Sequence, residues 1–355
     1  MLTIQGRSIG GFCDRISRRS FLRIGTLAAG ATSLNLTDVL RAEDGKPQGR
    51  HKSVINIFLG GGPPHQDLWD LKMEAPSEIR GELRPIDTNV PGIQICEVFP
   101  KLAARMDKCA IIRSIVGATG QHDAWQCVTG WPARELQFLG GHPSIGSVAT
   151  KVLGPVDPSV PAFVGLAEKT QHVPWSDPGA PGFLGPSFGC FRPEGQGLAD
   201  MRLNGISVEK LDDRKQLLAS FDRMRREVDG RGMMTGIDSF NQLAFNVLTS
   251  SKLLEALDLS KEPADVRARY GDGKPYQFQY DGAPTVNEQL LMARRLVEAG
   301  VRCVTLSYGR WDSHGQNFAL VRDHGAKLDQ CLSALIDDLY VRGMLDDVTV
   351  IAWGE

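Results

Sequence analysis

The chain has 355 residues, 42% apolar and 23% charged, which is ordinary globular composition with room for one large domain or two modest ones. Its 40 basic and 42 acidic residues are spread along the sequence for a formal net charge of -2, so no basic face is present and no nucleic acid is expected as partner. Beyond the first segment no apolar run reaches the roughly 18 residues of a stable membrane span, and none is expected.

In chain order, the first feature is Ser17-Arg18-Arg19-Ser20-Phe21-Leu22-Arg23, followed at 24–36 by a short Ala/Gly-rich apolar stretch. A basic pair, an aromatic residue and a weak apolar run in that order are the pattern of a twin-arginine leader. We therefore expect a signal peptide over 1–42, read by the twin-arginine export machinery, and a periplasmic or exported protein. A polar linker follows at 43–52, then one α/β domain over 53–355 with a loop-rich cap at 154–200.

The run Ser53-Val54-Ile55-Asn56-Ile57-Phe58-Leu59 reads as a buried strand that enters the glycine loop Gly60-Gly61-Gly62. Residues 98–106 have helical spacing, and 110–115 read as a second strand. Residues 154–197, rich in Pro and Gly, read as extended loops, and 237–257 as a helix. A better helix at 288–299 stops at Gly300, and 301–306 reads as a strand. Residues 320–341 form the clearest amphipathic helix, with Leu328, Leu332, Leu335, Ile336 and Leu339 on one side and Gly343 at its end. The last strand is 348–353. Helix and strand in alternation predict a mostly parallel sheet covered on both faces. A sheet strand with no following helix reads as a domain truncated at its carboxyl end.

The seven cysteines contain no Cys-x-x-Cys pair, so neither a zinc ribbon nor a thioredoxin-type site is expected. If Cys13 leaves with the leader, six cysteines remain and disulfides are open to them in an oxidising compartment, but with Cys109, Cys303 and Cys331 in apolar contexts free buried thiols are expected.

Ligands of open α/β sheets sit beyond the carboxyl ends of the strands. There this sequence places His65, Asp67 and Asp70 after the first strand, and Thr119 and His122 after the second. Asp312 and His314 follow the third, and Glu355 the last. Carboxylates and imidazoles converging from separate loops are the oxygen and nitrogen donors that a divalent ion needs. Each also has a structural reading: Asp312 as a helix cap, His65 as a turn residue, His122 as a satisfied histidine at a helix start. His142, His172 and His324 lack such placement, and His324 reads as a surface or helix-packing residue.

The leader, the glycine run with His65-Gln66-Asp67 and Trp69-Asp70, the Trp311-Asp312-Ser313-His314 segment and the terminal Trp353-Gly354-Glu355 together resemble the exported bacterial family DUF1501. That family is grouped with the alkaline phosphatase and arylsulfatase superfamily. The resemblance implies an alkaline-phosphatase-like core, with Asp67 or Asp70, Asp312, His314 and Glu355 as metal ligands. It implies Thr119, several residues before Thr129-Gly130, as nucleophile, and a further histidine-bearing segment beyond residue 355. Zinc, calcium, magnesium or manganese would be the cofactor, and a small-molecule or polysaccharide ester the substrate. Two departures stand out: a glycine run replaces the Asp expected directly after the first strand, and no Cys-x-Pro-x-Arg signature exists, which disfavours a formylglycine sulfatase.

The expected chemistry is therefore metal-dependent hydrolysis of phosphate or sulfate esters. Thr119 attacks, His122 is a further catalytic candidate and Arg113 or Arg310 forks the anion. A phosphomutase would share the site. The alternative class is a non-catalytic exported binding or surface-assembly protein that retains the fold.

Overall fold

A computed structural model describes residues 52–113, 115–120, 122, 124–132, 140–167, 173–193, 246–247, 250–271 and 283–355. The expected leader, the linker up to residue 51 and most of the expected helix at 237–257 lie outside these residues, as does the end of the 154–200 region.

The described elements run in order from β1 (Ser53–Gly60) through the single-turn helices α1 (His65–Leu68) and α2 (Ser77–Arg80) to a hairpin, β2 (Pro85–Asp87) and β3 (Gln94–Cys96). Then come α3 (Pro100–Ala103), α4 (Trp125–Thr129), α5 (Ile145–Leu153) and β4 (Phe163–Gly165). The last set is α6 (Lys252–Leu257), α7 (Ala264–Tyr270), α8 (Glu288–Ala299), β5 (Cys303–Arg310), α9 (Asn317–Val341) and β6 (Val348–Trp353). β4, β5, β1 and β6 form one sheet in that spatial order, each pair parallel, while β2 and β3 pair antiparallel on their own. The chain is an α/β protein built on a parallel sheet, as helix–strand alternation predicted.

Register sorts the side chains of β1 and β5 onto two unlike faces. Ile55, Ile57 and Leu59 pair in register with Val304, Leu306 and the residues around Tyr308, and all are buried in the main core with α8 and α9. Asn56 and Phe58 point the other way, in line with Thr305 and Ser307 of β5 and Ile351 and Trp353 of β6. Phe58 there packs on Ala124 and Val128 at α4.

α9 shows why the helix forms despite a poor start. Its N-cap, Gln316, makes no side-chain capping bond, a loss of about 1 kcal/mol. Leu320, Leu328, Leu332, Leu335, Ile336 and Leu339 are buried along one side, each worth about 1.5–3 kcal/mol. Packing wins. α8 buries Leu290, Leu291, Ala293, Leu296 and Val297 and stops at Gly300, whose left-handed φ of 108° lets its N–H reach the last carbonyls.

Two expectations change. Residues 110–113 and 115 are in no strand, and Ile112 and Ile115 are 73% and 68% exposed. A β-rich run without a neighbouring strand has no ladder to join, and the sheet takes β4 beside β5 instead. The expected helix at 98–106 shortens to α3 and a 3-10 turn at Met106–Lys108. His324 is fully packed, its ring edge-on to Trp311 at 5.4 Å between centroids. Cys96, Cys109, Cys127, Cys190, Cys303 and Cys331 are free thiols, and burial pushes those of Cys190, Cys303 and Cys331 up to about 12. No described helix is long and apolar enough to cross a membrane.

Candidate functional site

β1, β5 and β6 are neighbours, and being parallel they deliver their carboxyl ends to one rim. The loop after β1 turns there on Gly61 (φ 96°) and Gly62 (φ 72°), values that only glycine adopts readily. Space demands glycine at 61 as well: a Cβ would lie 2.6 Å from the backbone nitrogen of Asp312. The same approach is fixed by Trp311, whose N–H donates to the Gly60 carbonyl at 2.8 Å. Loop and strand ends are thus held against each other by backbone.

Four side chains meet on this frame. The Gly61 N–H donates to Glu355 Oε1 at 2.7 Å, and His122 Nδ1 lies 2.8 Å from the same oxygen. The other ring nitrogen of His122, Nε2, is 3.5 Å from Asp312 Oδ2. His314 Nε2 lies 2.5 Å from that same Oδ2. Trp175 sets its ring edge-on to His122 at 5.3 Å, and the Arg310 guanidinium lies over Trp175 and 3.9 Å from Asp312. The two carboxylates are nearly covered, at 6% and 16% side-chain exposure, while His122 and His314 are open to solvent at 42% and 69%. Burial raises the Glu355 carboxyl above its usual range, against the opposing bonds from His122 and Gly61.

His314 is the non-glycine residue with positive φ among the described residues, at 48°. For a side chain of this kind the left-handed backbone costs on the order of 1 kcal/mol, and such positions gather at functional loops.

The site residues expected from sequence divide into two groups. His122, Asp312, His314 and Glu355 come together. Asp67 does not join them: it is buried and accepts from the Asn317 side chain at 2.7 Å at the start of α9. Burial raises its carboxyl, with the Asn317 bond and His65 opposing. Asp70 pairs with Lys72 at 2.5 Å and lies 3.9 Å from Arg113, whose guanidinium also donates to the Gln94 carbonyl. Arg113 is therefore engaged away from the rim.

Thr119 does not stand at a helix start, because α4 begins only at Trp125. Its N–H and hydroxyl both donate to Gln126 Oε1, at 2.8 and 3.2 Å. Asp312 caps no helix, since the N-cap of α9 is Gln316. Trp175 was missed, and its loop-rich surroundings carry no periodic signal that marks it.

Among the described residues no three His, Cys, Asp or Glu side chains surround a point that would hold a metal ion. The arrangement is a relay, Glu355 to His122 to Asp312 to His314, in which each imidazole faces a carboxylate.

A family model described as "Protein of unknown function (DUF1501)" matches residues 51–355. No curated protein and no solved structure matches the chain.

Proposed function

The chain belongs to the DUF1501 family, and from the geometry of its rim we propose that it is an exported hydrolase of phosphate or sulfate esters on an alkaline-phosphatase-like core. Export is supported by the Arg18-Arg19 pair and the short apolar run behind it. The hydrolase reading is carried by one observation. With His122 Nδ1 donating to Glu355, the lone pair on Nε2 faces Asp312 Oδ2 across 3.5 Å. Two acceptors facing each other at that distance call for a cation between them.

A proton on His122 satisfies that requirement, and so does a divalent ion. The donors suit one in kind, because two imidazoles and a carboxylate are the nitrogen and oxygen set taken by zinc or manganese. His122 Nε2 and Asp312 Oδ2, 3.5 Å apart, leave room for one cation between them, while His314 Nε2, 2.5 Å from the same oxygen, would have to turn to join. His122, Asp312 and His314 would hold it, and Glu355 would orient His122 from its far nitrogen, as carboxylates behind metal-bound histidines do. Such an ion polarises a phosphoryl or sulfuryl oxygen and acidifies water. Arg310 is placed to meet the anion's remaining oxygens.

A non-catalytic binding protein is the second reading, favoured by Thr119: its hydroxyl is committed to Gln126 and no activated nucleophile stands in the relay. One experiment separates the two. The exported chain is assayed for bound divalent metal and for turnover of aryl phosphate and aryl sulfate, alongside His122→Ala and Asp312→Asn. A hydrolase loses on the order of 100-fold or more in turnover in either variant while remaining folded. A chain that holds no metal and turns over neither ester leaves the binding reading in its place.

A further inference from the structure

The face of the sheet opposite the main core is chemically unusual. Asn56 is fully buried and Ser307 is 2% exposed. Neither end of the Asn56 carboxamide has a hydrogen-bond partner on the protein, nor has the Ser307 hydroxyl, the Trp353 indole Nε1 or Glu355 Oε2. These atoms are not scattered. Phe58 pairs in register with both Ser307 and Trp353, while Asn56 pairs with Thr305 and Ile351 one step earlier. Asn56 is thus the diagonal neighbour of Ser307 on one side and of Trp353 on the other, all on one face. Two residues beyond Trp353 is Glu355, at the rim.

Native proteins leave few buried polar atoms without partners, because desolvating them unpaired is strongly unfavourable. Four on one face of three adjacent strands, with a fifth at the rim just beyond β6, therefore share one explanation. Diagonal neighbours on a sheet face lie about 7–8 Å apart at the backbone. A water bonded to two such groups at about 2.8 Å each reaches across most of a gap of that size. The groups are neutral apart from the Glu355 carboxylate at the end, and they include both donors and acceptors, the mixture that water satisfies and an ion does not.

We propose that this face is a buried hydration site in which waters held by Asn56, Ser307 and Trp353 reach Glu355 Oε2 from inside the fold. With about three bonds to each buried water, the polar atoms present accommodate on the order of two. The rim would then be wetted from beneath as well as from bulk solvent, with Glu355 bonded to His122 through one oxygen and to interior water through the other. This inference does not depend on the hydrolase reading.

The test uses the full chain and its Ser307→Ala variant, which removes one hydroxyl with almost no change in volume. A crystal structure is expected to place ordered water about 3 Å from Asn56 and Ser307. Ser307→Ala is expected to lower the melting temperature by about 2–4 °C, because it strips a water of a partner. A dry face gives the opposite sign: deleting an orphaned hydroxyl then raises the melting temperature. Either that rise or the absence of ordered water at Asn56 overturns the proposal. Asn56→Leu removes two of the atoms and is read only where it folds. Combined with Ser307→Ala it should lose less than the sum of the two single losses, since the residues share waters.

Discussion

Two places in this fold gather acids, and they do so on opposite principles. Behind the sheet, Arg294 of α8 is fully buried and meets Glu262 at 2.8 Å, Glu298 at 2.6 Å and Asp338 at 2.9 Å. Arg295 pairs with Glu262, Arg342 reaches Asp338 and Glu298, and the Tyr270 hydroxyl donates to Asp338. Every cation there is a guanidinium, charged at any accessible pH. At the rim, Glu355 and Asp312 are matched by the imidazoles of His122 and His314. One cluster locks α7, α8 and α9 together. The other lies next to solvent, with its two imidazoles open and a backbone that is strained at His314.

The difference can be broken most forcefully at Arg294. Replacing it by Met keeps the stem and leaves Glu262 and Asp338 buried beside one cation fewer. Removing one partner of a buried ion pair costs about 3–5 kcal/mol, so urea unfolding of Arg294→Met should show a loss of that size. Asp312→Asn at the rim should stay within about 1 kcal/mol of the parent. If the two variants unfold alike, the proposed division of labour between the clusters is wrong.

Gly61→Ala sharpens the same contrast from the backbone side. The new Cβ meets the Asp312 backbone nitrogen at 2.6 Å and the residue must still adopt φ 96°. Gly92, with φ 84° and nothing within 4 Å of a Cβ, supplies the control. Strain alone at Gly92→Ala should cost about 1 kcal/mol. Gly61→Ala should cost more, about 2–4 kcal/mol with the clash added, and should abolish any ester turnover. Equal melting curves for the two would show that the 60–62 loop does not set the rim.

How much of this was legible in the sequence follows from what each signal measures. β1, α8, β5, α9 and β6 were legible because long apolar patterns report burial, and burial dominates their formation. Residues 110–115 misled, since β propensity reports a residue's fitness for a ladder and not whether a neighbouring strand exists. β4, three residues long, is too short for any period. At the site, the rule that polar residues gather beyond parallel strands anticipated that His122, Asp312, His314 and Glu355 meet. It did not anticipate that Asp67 and Asp70 turn to Asn317 and Lys72, because a loop position does not say which way a carboxylate turns. Arg294 carried no signal at all: an arginine inside an apolar helix face reads as a surface residue until its three acids are seen.

The smallest effect, and the most discriminating, is a difference in sign with pH. Burial alone would raise Glu262, but Arg294 and Arg295 hold it below its ordinary 4.5. Its folded form gives up a proton more readily than the unfolded chain. The stability it contributes is therefore present above about pH 4.5 and lost as pH falls through the lowered value. Glu355 is raised above the same ordinary 4.5 by its burial. Its folded form keeps a proton longer, so its contribution is present below about pH 4.5 and lost as pH rises through the raised value. Urea unfolding between about pH 4 and 7 in chelator should thus show Glu355→Gln gaining on the parent as pH rises. Glu262→Gln should lose ground over the same rise. A shift of one unit is worth about 1.4 kcal/mol, so both slopes are shallow, but their opposition is the point. A carboxylate whose burial is outweighed by guanidiniums and one whose burial prevails over its partners should answer acid in contrary directions, and parallel slopes would mean that the rim is only a second structural ion cluster.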